Sequence, residues 1–379
     1  MTSPVFHDPS GRRARRAGAV VAIVLSVFVA IVAAFFMTLA TAPRLPTVRL
    51  QDPRVLSALH VENVKRLKKA PGWTSVPRPH KAPHGIAAGP LSIGFYISWD
   101  ELSRHSLRDH VQQLDVVAPQ WIGLANAKGD ITVTDDPQAT AIIAAAPRPP
   151  SVLPVVYNAK NMTFDGAMAD AFLLNPAARK TMIDRLVALA RAKGYGGYIF
   201  DLEDMSPAGL KAYPSFIARA NAALNPLGRE AWVTAPMDDE AWPLLALQKA
   251  SDTLMLMAYD EHWLTGDPGP AAGQDWYQSH LSQAFKVLDP KKVIMILGAY
   301  GYDWTLHSKT GKARADVLTF HEATVLAKDS GAAVRMDRAS LNPGFGYADE
   351  NGETHSVWFL DAPTFYNQMK VADPWRPRG

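Results

Sequence analysis

Asp201 and Glu203 stand two residues apart at the end of an apolar run, Gly194-Tyr195-Gly196-Gly197-Tyr198-Ile199-Phe200-Asp201-Leu202-Glu203. Residues at i and i+2 of a strand share a face. The spacing therefore predicts a buried strand that throws both carboxylates to one side and Leu202 to the other. An apolar strand opening into a paired acid is how α/β barrels place acid–base chemistry at the carboxyl ends of their strands. Taken alone, the segment also fits a strand end with two solvated acids.

Other apolar runs end in a similar mixture. Met257-Ala258-Tyr259-Asp260-Glu261-His262-Trp263 closes one, and Gly298-Ala299-Tyr300-Gly301-Tyr302-Asp303-Trp304 closes another. A third ends in Tyr96, Ser98, Trp99, Asp100 and Glu101. Acids and aromatic rings gathered at the same ends of several strands suit a groove that stacks on sugars. Core packing by itself does not account for them. The candidate substrate-binding residues are Met257, Tyr259, Asp260, Tyr96, Trp99, Trp263, Tyr302 and Trp304. Histidines and acids nowhere take metal-ligand spacing, so neither metal nor cofactor is expected.

Seven apolar runs must position these side chains: Leu91–Trp99, Val116–Leu124, Ser151–Asn158, Gly197–Glu203, Ala231–Met237, Thr253–Tyr259 and Lys292–Tyr300. Amphipathic stretches lie between them. In Ala177–Ala192, Met182, Ile183, Leu186, Leu189 and Ala190 recur at helical spacing. Continuous apolar strands with crossover helices predict a parallel sheet covered on both faces. Their number favours an α/β fold of the TIM (β/α)8 barrel type over an open doubly wound sheet. No glycine-rich phosphate loop follows the first strand, which disfavours a nucleotide fold. After the seventh strand, Val334–Met336, Gly346–Tyr347 and Ser356–Phe359 predict a small β insertion with its hairpin turn at Asp349-Glu350-Asn351-Gly352. A helix follows from about Pro363 to Val371. No eighth strand is found after it, so two barrel edges are expected to stand open unless another segment fills the gap.

The chain has 379 residues, 48% of them hydrophobic, and a formal net charge of +3. Much of the positive excess sits at the extreme N-terminus, and no basic patch interleaves with aromatics elsewhere, which argues against a nucleic-acid partner. There is no cysteine, so disulfides and thiolate metal sites are excluded. Residues 1–16 form a basic tail containing Arg12, Arg13, Arg15 and Arg16, and residues 17–42 an uncharged apolar run. About 20 such residues cross a bilayer, and the arginines fix the cytoplasmic side. The expectation is a single-pass anchor with everything after it outside the cytoplasm, in a bacterial cell envelope. A cleaved signal peptide ending at Ala40-Thr41-Ala42 is the competing reading, against which Pro43 and the length of the run both weigh. Residues 43–90, rich in Pro, Lys, Arg and His, read as a tether, and residues 91–379 as the barrel.

The segment Gly194 to Glu203 resembles the signature strand of glycoside hydrolase family 18, the chitinase-like barrels, written Asp-x-x-Asp-x-Asp-x-Glu. Met257 to Trp263 is similar to that family's sixth-strand Met-x-Tyr-Asp motif in the form seen in spore-cortex-lytic enzymes. Phe95 to Asp100, Gln113-Leu114-Asp115, Gly298 to Trp304, Ser340-Leu341-Asn342-Pro343 and Val357 to Asp361 extend the likeness. It is strongest to the family 18 module at the N-terminus of bacterial membrane proteins that also carry a polysaccharide deacetylase and a glycosyltransferase. The resemblance implies a retaining glycosidase acting on polymers of N-acetylglucosamine, in which the substrate's own acetamido oxygen attacks the anomeric carbon. It makes Glu203 the general acid and Asp201 the group that steadies the acetamido N–H and the oxazolinium charge. Glu203 then needs a raised pKa, which burial and the Asp201 anion would supply. Tyr259 and Asp260 would contact the acetamido group and sugar hydroxyls, and Trp99, Trp263 and Trp304 would stack. Two signature acids are replaced, by Gly196 and Ile199. Together with the unfound eighth strand, whose Trp floors the sugar subsite in the family, this keeps a second reading open. In it the barrel only binds glycan, on behalf of a deacetylase or glycosyltransferase partner.

Overall fold

The computed structural model describes residue 86 and residues 89–160, 163–306 and 314–379. The basic tail, the apolar run 17–42 and nearly all of the tether lie outside them. Among the described residues no helix is long and apolar enough to cross a membrane.

The strands are β1 Ile93–Tyr96, β2 Val116–Pro119, β3 Ile122–Leu124, β4 Ile131–Val133, β5 Ser151–Val152, β6 Val155–Tyr157, β7 Ala159–Lys160, β8 Thr163–Phe164, β9 Gly197–Asp201, β10 Glu230–Pro236, β11 Thr253–Met257 and β12 Val293–Ile296. Then come β13 Tyr300–Thr305, β14 Arg314–Thr319, β15 Arg335–Met336, β16 Pro343–Ala348 and β17 Thr354–Phe359. Parallel pairing joins β1, β2 and β5 in one sheet and β12-β11-β10-β9-β6-β3 in another, with β4 antiparallel on β3. Only Gln120-Trp121 separates β2 from β3, and only Leu153-Pro154 separates β5 from β6. The two sheets thus make one curved wall with seven strand positions, matching the seven runs in the sequence.

Side-chain alternation sorts these strands into two layers. Val116, Ala118, Leu153, Val155, Ile199, Trp232, Met255, Met257, Ile294 and Ile296 pack together inside the barrel. Val117, Tyr198, Phe200, Leu202, Val233, Leu254 and Leu256 face outward into the helices. Helix Pro176–Lys193 shows why the sequence builds that outer layer. Asn175 caps it by accepting from Ala177 and Ala178 N–H, and Pro176 occupies its first turn. Gly194 ends it in the left-handed region at φ 71°. Met182, Ile183, Leu186 and Ala190 are its buried stripe, on the spacing the sequence predicts.

Among the described residues no strand follows the last long helix, Ala362–Ala372. The gap is bridged at its base by residues 378 and 379, the alternative to two open edges that the sequence leaves available. Arg378 N–H donates to Val293 O at 2.7 Å, Leu91 N–H donates to Arg378 O at 2.7 Å, and Met295 N–H donates to Gly379 O at 3.0 Å. The Arg378 guanidinium pairs with buried Glu230 at 3.0 Å and lies over the Trp232 ring, 5.2 Å from its centroid.

The insertion is larger than the sequence suggested. It is a five-stranded antiparallel sheet in the order β14-β13-β17-β16-β15. Helix Phe320–Asp329 covers one face through Ala323 and Ala327, against Phe345, Val357 and Phe359. The seventh barrel strand stops at Ile296, so Tyr300 to Thr305 is a strand of the insertion, paired between β14 and β17, and not the end of a barrel strand.

Candidate active site

Ile199, Asp201 and Glu203 follow one another on the interior side of β9 and its extension, while Phe200 and Leu202 are buried in the outer layer. The carboxylates thus lie at the mouth of the barrel, on the face the period-two spacing predicts. Asp201 Oδ1 accepts from Thr234 Oγ1 at 2.6 Å. Burial pushes the Asp201 carboxyl up from its usual range, and the Thr234 hydroxyl partly offsets that. Glu203 is pushed up to about 8, first by burial, then by the nearby Asp201, Asp260 and Asp204 carboxylates. Two acids with environments of this kind can divide the labour, one holding a proton near neutrality and one carrying charge.

The chain leaves β9 sharply after Glu203, and buried Asn158 holds that departure. Its side chain accepts from Glu203 N–H at 3.0 Å and donates to Glu203 O at 2.9 Å. Asp204 takes φ 61°. Gly166 permits the close pass, because a Cβ there would lie 1.7 Å from Asp204 O.

Beyond β11, Tyr259 packs at the top of the barrel interior, with the Tyr300 ring edge-on at 5.7 Å. Burial and the Asp201 and Glu203 carboxylates hold the Tyr259 hydroxyl well above its usual pKa, so it stays a neutral donor. Asp260, at φ 66°, accepts through Oδ1 from Tyr302 OH at 2.8 Å and from Tyr300 OH. Burial raises its pKa, against the two phenols that lower it, and Asp238 adds a further like charge from the loop after β10. Met257 is buried beneath this group, in the barrel interior.

The remaining candidates divide. Trp99 and Trp263 are 59% and 50% exposed, with ring faces available to solvent. Trp304 is wholly buried among Tyr302, Leu360 and Ala272, so no face is free for a sugar. Tyr96 is also buried and points to the outer layer, where its hydroxyl donates to Asp136 at 2.6 Å. Neither Tyr96 nor Trp304 joins the acid group. Asp100 is the cap of helix Glu101–His110 and Glu101 pairs with Arg104, so these acids serve that helix. The sequence reading missed Asn158, Thr234, Asp238 and the hydroxyl of Tyr300. A surface hollow lined by Arg108, Val111, Ala141 and Ala145 lies outside the barrel and shares no residue with the acid group.

Comparison with known proteins bears on the family and the fold. The model of Glycosyl hydrolases family 18 matches residues 92–373. The uncharacterized glycosylase YvbX of Bacillus subtilis is 31% identical over 232 residues, 59% of this chain and 67% of that protein. The chain spans 58% and 55% of the length of two further curated relatives. Among solved structures, the spore cortex-lytic enzyme SleL of Bacillus cereus superposes with a TM-score of 0.68 at 23% identity, covering 77% of this chain and 70% of that one. A class V chitinase from Nicotiana tobaccum, in complex with NAG4, gives a TM-score of 0.63 at 15% identity over 76% of this chain and 92% of that one. These likenesses show the TIM-barrel fold. With its matched span covering most of the chain, this protein belongs to glycosyl hydrolases family 18, enzymes that hydrolyse glycosyl bonds.

Proposed function

We propose that the protein cleaves polymers containing N-acetylglucosamine by substrate-assisted, retaining hydrolysis. Glu203 gives its proton to the leaving glycosidic oxygen as the bond to the anomeric carbon breaks. The acetamido carbonyl oxygen of the same sugar closes on that carbon to form an oxazolinium. Asp201 accepts from the acetamido N–H and balances the positive charge. Water then attacks the anomeric carbon, the Glu203 carboxylate takes its proton, and the configuration is retained. Tyr259 and Asp260 contact the acetamido group and hydroxyls, and the exposed rings of Trp99 and Trp263 stack on neighbouring sugars. The single observation that carries this reading is Glu203 at the interior end of β9, its pKa pushed up to about 8 beside a second carboxyl two residues away. The NAG4-bound relative supports the choice of substrate class.

We further propose that residues 17–42 anchor the protein in the membrane, with the barrel outside the cytoplasm. The arginine cluster and the length of the apolar run support this. A deacetylase or glycosyltransferase acting on the same glycan is the partner such an arrangement would serve. The replacement of two signature acids by Gly196 and Ile199 favours a second reading, a barrel that grips glycan without cutting it.

Product release from chito-oligosaccharides by the full chain and its Glu203→Gln variant separates the two. Hydrolysis predicts a loss of about 10²–10⁴-fold in the variant. Equal turnover by both proteins rules out the Glu203 mechanism. Saccharide binding by the native protein, with no turnover on long incubation, selects the second reading.

A further inference from the structure

Ile199, the interior neighbour of Asp201, is fully buried and offers no polar group. The adjacent strand supplies one. Thr234 of β10, 2% exposed, sets its Oγ1 2.6 Å from Asp201 Oδ1 and 3.2 Å from Phe200 O. A hydroxyl has one proton and two acceptor sites. It therefore donates to Asp201 when that carboxyl is ionised. When Asp201 is protonated, the hydroxyl can accept from it and turn its own proton to Phe200 O. Both charge states of Asp201 are satisfied without moving either side chain.

We propose that Thr234 is the positioning residue for Asp201, holding its carboxyl on the barrel's interior face through both protonation states where position 199 brings no polar group. This rests on the reading that Asp201 steadies the acetamido group. Donation by a buried hydroxyl favours the carboxylate over the acid. The titratable groups facing Asp201 are Glu203 on its own strand, Tyr213 from helix Pro207–Leu224, Tyr259 beyond β11 and Tyr157 across the β6 register. Burial raises all three phenols above their usual values, so Glu203 is the group that competes with Asp201 for a proton.

The test compares Thr234→Val, which keeps the shape and removes the hydroxyl, with Thr234→Ser, which keeps the hydroxyl. The full chain is assayed on chito-oligosaccharides for kcat, KM and the pH profile of kcat/KM, with Tm measured alongside. Thr234→Val is expected to lower kcat about 10- to 100-fold, the worth of one hydrogen bond to a charged group. It is also expected to move the acid limb to higher pH, because losing the donor raises the Asp201 pKa and shrinks the ionised fraction. Thr234→Ser is expected to restore both. Native kcat and an unmoved acid limb in Thr234→Val overturn the proposal, as does equal damage by both variants together with lowered Tm. Titration of the Asp201 carboxyl by carbon NMR decides the matter without turnover: an unchanged pKa in Thr234→Val overturns it. Absence of turnover in the native protein counts against the hydrolytic reading, whereas native turnover with an unaffected valine variant counts against this inference alone.

Discussion

The side-chain amide of Asn158 pairs with the backbone of Glu203 as a neighbouring strand would, accepting from its N–H at 3.0 Å and donating to its carbonyl at 2.9 Å. The same Nδ2 reaches Asp165 O at 3.1 Å. Residue 203 lies past the last ladder pair of β9, so the amide satisfies backbone groups that the sheet leaves behind. Asn158→Asp keeps the shape but turns a donor into an acceptor facing two carbonyl oxygens. The expected cost is roughly 1–3 kcal/mol of stability for the unsatisfied groups. A drop in kcat of about tenfold or more should accompany it, since a displacement near 1 Å at a reacting group costs that much or more. Denaturant melts and steady-state kinetics check this. A lowered midpoint with native kcat would show that the amide serves the fold alone.

The elevated Glu203 pKa fixes the sign of two pH effects. Activity that needs the protonated acid falls as pH rises through about 8. Stability follows the same group. Its folded pKa lies above the unfolded value near 4.5, so the folded state holds its proton more tightly and loses stability as pH rises between the two values. Glu203→Gln should therefore melt higher than the native protein at pH 9, by roughly 2–4 kcal/mol, and match it near pH 4. Parallel melting curves at all pH values would contradict the raised pKa.

Tyr300 and Tyr302 act on Asp260 together. Their hydroxyls favour its anion, so replacing both with Phe raises its pKa and leaves more of it neutral at pH 7. A weaker like charge near Glu203 then lowers the Glu203 pKa, and the alkaline limb of the rate profile should move to lower pH. Saccharide affinity should fall about tenfold in the double variant. Either single variant should do less, because one phenol still donates. Calorimetric binding and the pH–rate profile give the two readouts.

At the other end of the barrel, Arg378→Ala strips the partner from Glu230, whose side chain is 6% exposed, and uncovers the Trp232 ring. An uncompensated buried carboxylate is costly. The expected loss is roughly 2–4 kcal/mol in urea unfolding, with kcat retained, because the change lies at the end of the strands remote from Asp201 and Glu203. Glu230→Gln added to Arg378→Ala should recover part of it.

The barrel was legible because its strands are short unbroken apolar runs and its helices carry their stripes at the right period. The acid pair was legible for the same reason, since period-two spacing fixes the shared face of Asp201 and Glu203. Tyr96 was misassigned although the same parity applies. Ile93 joins the barrel interior, so residue 96 turns outward to Asp136. Lys292–Tyr300 reads as one strand with Gly301 to Trp304 at its end, and nothing in Leu297-Gly298-Ala299 announces that the chain leaves the barrel there. That is why Trp304 was placed at the mouth instead of in the insertion's core. Asn158 and Thr234 did carry a signal, Thr234 as the one polar residue in Ala231–Met237 and Asn158 as the polar end of Ser151–Asn158, where a buried hydrogen bond has to be satisfied.

Asp260 hangs from the barrel while the phenols that hold it come from β13, whose alignment is set by its pairing with β17, Tyr302 against Trp358 and Asp303 against Val357. A slip of one residue along that seam would turn every β13 side chain over. Asp303 or Gly301 would then stand where Tyr302 does, setting a repelling carboxylate or an empty space beside Asp260. Such a mis-threaded isomer could stay folded and still have a poisoned cleft, so fidelity of assembly in the appended sheet governs the chemistry of a barrel it merely borders.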